Sequence, residues 1–438
     1  MLRLFLCTTM LSGPAFATTP LIDPFFGQSH NGVAGEVIGT DVSADTPTAS
    51  LLQSDGKVVI AGTASINSAT HTVVTRLNRD GSVDMTFGDS NSGFSDLGTA
   101  FEINSLSETA GGALYFAGAD STQSNAYVGR LTSTGQLDTT FHINGYREIP
   151  ASVFDASFTG ASLTQAFVLP DGGLLAIGHA TQSAIVEGVA VQLTSDGAID
   201  SSFNHGAGST AFAPPFTGSP LFLVTAAQRL TSGSTLLGGF GYHTGGDSYD
   251  IVLAQLTASG DLDASFGYDG FATFGFDVGG SMQDISTALA VDANGNILVG
   301  AQYDDGSATF PAAVLRFNAN GQLDTSFGTN GYTKLALPVA QYPSWIWPKS
   351  DGSILVAMNP QTTLTLTSLD ENGSIMTSFA TAGEYIAPQP ASLKIELPPV
   401  GVAMPILTGD WLYAFGQSTV VGMAAMRLVL PIFNNGFE

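Results

Sequence analysis

Short apolar runs recur along the chain, each closed by a small or bulky apolar residue and each entered through a polar turn. VVIAG stands at 58–62, LYFAG at 114–118, LLAIG at 174–178, TLLGG at 235–239, ILVGA at 297–301, ILVAM at 354–358 and LYAFG at 412–416. A polar connection of variable length leads from each to a second run: TVVTRLN, AYVGRLT, VAVQLTS, IVLAQLT, AAVLRFN, LTLTSLD and GMAAMRL. Runs this short, rich in β-branched and aromatic residues and bounded by Asp-Gly or Asn-Gly turns, predict strands joined as hairpins. No stretch sustains a 3.6-residue apolar period, so helices are expected to be nearly absent.

A third signature follows each pair of runs: a Gly turn, an apolar residue, Asp, two residues, then Phe. It reads GSVDMTFG at 81–88, GQLDTTFH at 135–142, GAIDSSFN at 197–204, GDLDASFG at 260–267 and GQLDTSFG at 321–328. A degraded copy, GSIMTSFA at 373–380, has Met376 in place of the Asp, and a partial copy, DPFFG, stands at 23–27. The motif phenylalanines Phe26, Phe87, Phe141, Phe203, Phe266, Phe327 and Phe379 lie 52 to 63 residues apart. Periods of this size signal propellers or solenoids rather than independent domains. The last copy runs through GMAAMRLVLP at 422–431 and stops before its Asp-x-x-Phe segment, while residues 21–40 hold that segment without the strands before it. A circular fold resolves both defects and leaves no open sheet edge. The expected architecture is all-β: a seven-bladed β-propeller over residues 18–431, its ring closed by the N-terminal segment completing the last blade, with a short tail at 432–438.

The repeats resemble the bacterial delta-60 repeat family, an uncharacterised β-propeller repeat. The resemblance rests on pairs such as DANGNILVG at 292–300 with VLRFNANGQLDTSFGTNGY at 314–332 and spans nearly the whole chain after its first residues. It implies the propeller fold and brings with it no established activity or catalytic residue. The ending FNNGFE at 433–438 is similar to a tail of some secreted proteobacterial proteins, which points to a bacterial origin.

Charge narrows the partners. The chain carries 12 Lys+Arg against 37 Asp+Glu, a net −25, which disfavours nucleic acid and anionic membrane surfaces alike. Residues 1–17 read as a secretory signal peptide: Arg3, a short apolar run, then Ala15-Phe16-Ala17 as a cleavage site. Cys7, the only cysteine, leaves with it, so no disulfide is expected. No transmembrane segment is expected, because no later stretch offers about 18 unbroken apolar residues. The expected product is a secreted, monomeric protein, placed in the periplasm, at the cell surface or outside the cell.

The repeated acids Asp84, Asp138, Asp200, Asp263 and Asp324, with Asp23 at the N-terminus, read as structural. A short acid after a Gly turn accepts backbone N–H groups, and Phe87, Phe141, Phe203, Phe266 and Phe327 then pack between sheets. No cofactor is expected. Calcium is the one metal the turns admit, at Asp292-x-Asn294-x-Asn296 or Asp80-x-Ser82-x-Asp84. Neither has the bidentate Glu of a calcium-binding helical loop, and Asn-Gly and Asp-Gly turns explain both without metal. His71, His179 and His243 are expected in loops after the second strand, on the face that carries Asp120, Asp304 and Asp305, either as a ligand patch or as solvated loop residues. Glu102 and Asp284 are the acids expected near the central channel. Trp345 and Trp347, in YPSWIWP, share one side of a strand and either stack on a sugar or fill the core between blades. No nucleophile elbow, Walker glycine pattern or reactive cysteine is present. Three functions stay open: a binding module for glycan or protein, an extracellular hydrolase or lyase acting on polysaccharide or a small molecule, and a structural or adhesion component.

Overall fold

Strands whose two alternating sets of side chains are both apolar must be covered on both faces, and each repeat supplies one sheet of such strands. The computed structural model describes residues 21–22, 33–36, 45–215, 221–242, 249–276, 278, 283–307, 310–335, 342–359, 364–379, 383–387, 393–394, 406–408, 411–418 and 422–429. The leader expected over 1–17, the tail at 432–438, Asp23, Phe26 and His243 lie outside the described residues.

Six four-stranded antiparallel sheets follow one another, each with its strands in chain order. Sheet one holds Thr46–Leu52, Val58–Ile66, Ala69–Leu77 and Phe94–Asp96, and sheet two holds Glu102–Glu108, Leu114–Ala119, Asn125–Leu131 and Tyr146–Pro150. Sheet three holds Gly160–Val168, Leu174–Gln182, Ile185–Leu193 and Ser209–Phe212, and sheet four holds Leu223–Arg229, Thr235–Tyr242, Tyr249–Leu256 and Phe271–Phe274. Sheet five holds Asp284–Val291, Ile297–Tyr303, Ala312–Phe317 and Tyr332–Leu335, and sheet six holds Tyr342–Pro348, Ile354–Asn359, Thr365–Leu369 and Glu384–Ile386. A seventh sheet draws on both ends of the chain. Trp411–Ser418 pairs with Gly422–Val429 and with Leu393–Lys394 and Ile406–Thr408, while Leu21–Ile22 and Val33–Glu36 pair with Gly422–Val429. Among the described residues helix is confined to three 3-10 turns, Asp89–Asn91, Ala151–Val153 and Asn204–Gly206, and no helix is long and apolar enough to cross a membrane.

The core lies between the sheets. In sheet one Val58, Ile60 and Val73 join a cluster with Leu412, Phe415 and Met426 of sheet seven. The alternate residues Val59, Ala61 and Val74 join another with Ile103, Leu114 and Phe116 of sheet two. Each buried aliphatic or aromatic side chain contributes about 1.5–3 kcal/mol, so stacking of neighbours, not the isolated hairpin, stabilises a repeat.

Every first strand of sheets one to six has a bulge at the same place. Pairing with the second strand skips Thr48, Asn104, Thr164, Thr225, Thr287 and Ser344 in turn. A bulge leaves ladder groups unpaired, and the bulged residue is always small and polar. The hydroxyls of Thr225, Thr287 and Ser344 donate to the second-strand carbonyls of Gly238, Gly300 and Ala357 at 3.2, 3.3 and 3.1 Å. The same residues also reach the neighbouring first strand. Thr48 Oγ1 donates to Ile103 O at 2.5 Å, Asn104 Nδ2 to Leu163 O at 3.1 Å, Thr225 Oγ1 to Ser286 O at 2.9 Å and Thr287 Oγ1 to Pro343 O at 2.6 Å. Each acceptor immediately precedes the next sheet's own bulge, so these bonds form a belt that stitches the first strands of sheets one to three together and those of sheets four to six, while Thr164 Oγ1 bonds Ile177 O within its own sheet.

Candidate functional site

The Asp-x-x-Phe segment connects the third and fourth strands and ties each sheet to the next. Asp Oδ1 accepts the N–H of the residue two places on, at 2.9–3.0 Å for Thr86, Thr140, Ser202, Ser265 and Ser326. Its Oδ2 accepts from the residue eight places earlier on the third strand: Arg76, Arg130, Gln192, Gln255 and Arg316 at 2.8, 2.8, 2.8, 2.9 and 2.8 Å. In sheet six Ser368 and Met376 hold the two positions, and the hydroxyl meets Met376 Sδ at 3.4 Å. The motif phenylalanines Phe87, Phe141, Phe203, Phe266, Phe327 and Phe379 are 0–3% exposed. A Cβ on Gly135 would lie 2.5 Å from the Phe87 ring, so the glycine of one sheet's turn is the seat for the preceding sheet's phenylalanine. The residue after the Phe then donates across the junction: Gly88 N to Thr134 O at 2.8 Å, His142 N to Asp196 O at 2.8 Å, Asn204 N to Ser259 O at 2.7 Å and Gly267 N to Asn320 O at 2.8 Å.

Where an arginine holds the third-strand position, it also fills the junction. Arg76 Nη1 donates to Ser133 O of the next sheet at 2.7 Å, Arg130 Nη1 to Ser195 O at 2.6 Å and Arg316 Nη1 to Glu371 O at 2.5 Å. Arg427 of sheet seven makes the same bond to Arg79 O of sheet one. The guanidinium carbons of Arg76 and Arg316 stand 4.5 and 4.6 Å from the Phe87 and Phe327 rings. Between sheets one and two the space is closed further by Gln53 Nε2, which donates to Glu108 Oε1 at 3.0 Å, and by Lys57, whose Nζ lies 2.7 Å from Asp84 Oδ2.

The junction between sheets four and five has none of this filling. Gln255 stands for Arg76, Leu230 for Gln53, Ser234 for Lys57 and Val291 for Glu108. The Gln255 amide is engaged by Asp263, and Ala319, which corresponds to Ser133, lies on the wall of a cavity of about 450 Å³. Gln228, Thr231, Ser232 and Gln255 line it with Leu236 and Ile297. The Arg229 side chain turns to the other face of sheet four, where its Nη1 donates to the buried Thr235 hydroxyl at 3.0 Å and burial lowers the guanidinium's pKa. The cavity opens at the turns between first and second strands, the end of the sheets opposite Asp120, Asp304 and Asp305.

Four stretches, residues 53–87, 169–203, 231–266 and 293–327, match the model of a domain of unknown function (DUF5122) beta-propeller. These are β-propeller repeats. None of the curated proteins matches the chain. Among solved structures, a catalytically inactive virginiamycin B lyase from Staphylococcus aureus is 12% identical, with 91% of this chain and 99% of the lyase covered at a TM-score of 0.48. A polysaccharide lyase is 10% identical, with 94% and 97% covered at 0.49. The β-propeller domain of the Trilobed protease from Pyrococcus furiosus is 10% identical, with 90% and 98% covered at 0.41.

His71 and His179 are not loop residues. His71 lies in the third strand of blade one, its Nδ1 2.8 Å from Asp96 Oδ1, and His179 lies in the second strand of blade three, 8% exposed. The physical reason is a tight turn: Asn67 and Ser68, both at positive φ, let the hairpin of blade one extend well beyond the apolar run. Burial lowers the His179 pKa to about 4, and its Nδ1 has no partner among the described residues. Asp304 Oδ1 accepts Gly306 N at 2.8 Å and Asp305 Oδ1 accepts Ser307 N at 2.9 Å, so both fix their own turns. Asp284 is not exposed to a channel: it is fully buried and its Oδ2 accepts Phe276 N at 2.6 Å. Trp345 and Trp347 are half-buried, 6.1 Å apart, and pack on the cluster of Leu355, Ala357 and Phe415. Asp292 Oδ1 accepts Asn294 N and Asn296 N, each at 2.8 Å, and its Oδ2 accepts Asn296 Nδ2 at 2.9 Å, which occupies the carboxylate within its turn. Among the described residues no three His, Cys, Asp or Glu side chains gather as a metal site.

Proposed function

We propose that this chain is an exported bacterial protein, a seven-bladed propeller of delta-60-type repeats closed into a ring by its N-terminal strands, and that it is a glycan-binding module. The cavity between blades four and five is its ligand site. The pairing of Val33–Glu36 with Gly422–Val429 supports ring closure, and the Arg3, apolar-run and Ala-Phe-Ala pattern of the first 17 residues supports export.

The observation that carries the binding reading is a roughly 450 Å³ cavity walled by amides and hydroxyls over aliphatic side chains, within the range of small-molecule sites. Sugar hydroxyls pair with the amides and hydroxyls, and the C–H faces of the ring rest on the aliphatic floor. The test is calorimetric binding of the full chain to a panel of oligosaccharides, beside the variant Gln255→Arg. That change restores the residue found at Arg76, Arg130 and Arg316, places a guanidinium against Asp263 and fills the cavity. We expect the variant to melt no lower than the natural chain and to lose affinity at least about tenfold, near 1.4 kcal/mol. No binding of any oligosaccharide, or undiminished binding by the variant, sinks the reading.

A further inference from the structure

Two amides on the sheet-four wall of the cavity narrow what it can hold. Gln228, Leu236 and Gln255 pair side by side across the first, second and third strands of sheet four. Leu236 packs in the cluster that sheet four shares with sheet five. Cross-strand partners stand on one face, so both amides face the cavity with an aliphatic side chain between them. Adjacent strands lie about 4.8 Å apart, which sets the two residues roughly 10 Å from each other. Across from them stand Val291 and Ile297, partners on the first two strands of sheet five.

Gln228 departs from its repeat position. The residue three places after the bulge is Leu51, Phe167 and Trp347 in sheets one, three and six, and Ala290 in sheet five. In sheet two it is Ser107, whose hydroxyl donates to Ala166 O of the next first strand. The half-buried Gln228 amide has no hydrogen-bond partner among the described residues. A primary amide offers two N–H donors and a carbonyl acceptor, and holding it unpaired beside Leu236 and Ile297 costs solvation. Gln255 is committed on one side: its Nε2 donates to Asp263, which leaves Oε1 as an acceptor. Asp292 is occupied by three donors from its own turn, and Arg229 lies on the other face of sheet four. The described wall therefore offers amides, hydroxyls and aliphatic surface, with no free charge to meet a carboxylate or an ammonium. An acetamido group matches that inventory. Its N–H and C=O pair reciprocally with one primary amide, and its methyl takes the apolar strip where a hydroxyl would lose its water without a partner.

We infer that the cavity selects a neutral N-acetylated amino sugar of a glycan chain. The Gln228 amide holds the acetamido group with its methyl against Leu236 and Ile297, and a ring hydroxyl donates to Gln255 Oε1. This rests on the reading of the cavity as a glycan site and adds the class of sugar. Gln228 is then the residue that determines specificity.

The matched probes are chitotetraose and cellotetraose, which differ only in carrying an acetamido group or a hydroxyl on the second ring carbon. Calorimetry with the full chain is expected to give at least about tenfold tighter binding for the acetylated tetramer. Gln228→Leu supplies the residue found at Leu51, so it is expected to melt no lower than the natural chain and to bind both tetramers with the affinity of cellotetraose. Gln228→Asn keeps the amide but withdraws it by one methylene, and is expected to lose most of the preference. Equal affinity for the two tetramers in the natural chain overturns the inference. So does an acetyl preference that survives both substitutions. Binding of cellotetraose or another unacetylated oligosaccharide without binding of chitotetraose overturns the assignment of the sugar and leaves the glycan site standing. Failure of every saccharide overturns both.

Discussion

Asp84 and Asp263 occupy one position of the repeat and differ in what they neutralise. Burial acts to raise the Asp84 pKa, but Lys57, Thr86 and Arg76 all donate to the carboxylate and hold it far below the usual range. Asp263 has Ser265 and the neutral Gln255 as its partners. Removing Asp84 strands a buried guanidinium, so Asp84→Ala is expected to cost about 3 kcal/mol, against about 1 kcal/mol for Asp263→Ala. Urea midpoints of the two variants check the order, and equal losses refute the electrostatic distinction. His179 supplies a pH test. Its pKa falls from 6.5 to about 4 on folding, so the unfolded chain binds the extra proton and stability drops as pH falls from 6.5 towards 4. The full difference is about 3 kcal/mol, and about 2 kcal/mol of it is gone by pH 5, before most carboxylates titrate. His179→Gln should flatten the urea midpoint between pH 7.5 and pH 5, whereas an unchanged slope removes His179 as the cause.

Strands are the elements that the letters reveal best. The seven apolar runs and their partners mark second and third strands because burial on both faces leaves no polar alternation to confuse them. The first strands are harder to read. A bulge at Thr164 or Thr225 shifts the phase of alternation inside the strand, and only the folded pairing shows why a hydroxyl sits there. The eight-residue step from Arg76 to Asp84 is present in every undamaged repeat, yet it acquires meaning only when the turn folds the two together. The cavity was invisible for the same reason, since it is a set of shorter side chains brought together from two repeats. His71 and His179 were misplaced because polar residues continue the strands beyond the apolar runs. At this scale the belt is the feature to test. Thr225→Val keeps the shape of the side chain and deprives Gly238 O and Ser286 O of their donor. It is expected to cost about 1–2 kcal/mol, read as a lowered thermal midpoint; an unshifted midpoint means the belt adds no stability.

The whole molecule is a series of junctions that share one design and differ in filling. Arginine closes the junctions between blades one and two, two and three, and five and six; Gln192 and Gln255 hold that position in blades three and four, and the cavity lies beside Gln255. Ligand binding at one junction of such a series leaves the others intact, because each contact passes only to the neighbouring blade. Gln255→Arg is therefore expected to change binding without loosening the fold, which links the functional test to the architecture.

Val33 pairs with Met426 across the seventh sheet, so strands far apart in the sequence must meet before that sheet is whole. Until they meet, Gly422–Val429 keeps an unpaired edge. Closing so long a loop adds little to the final entropy cost but delays the contact that completes the structure. A partly made or truncated chain would be the form most open to proteases and to pairing with its own copies. In the folded chain Val33–Glu36 covers that edge.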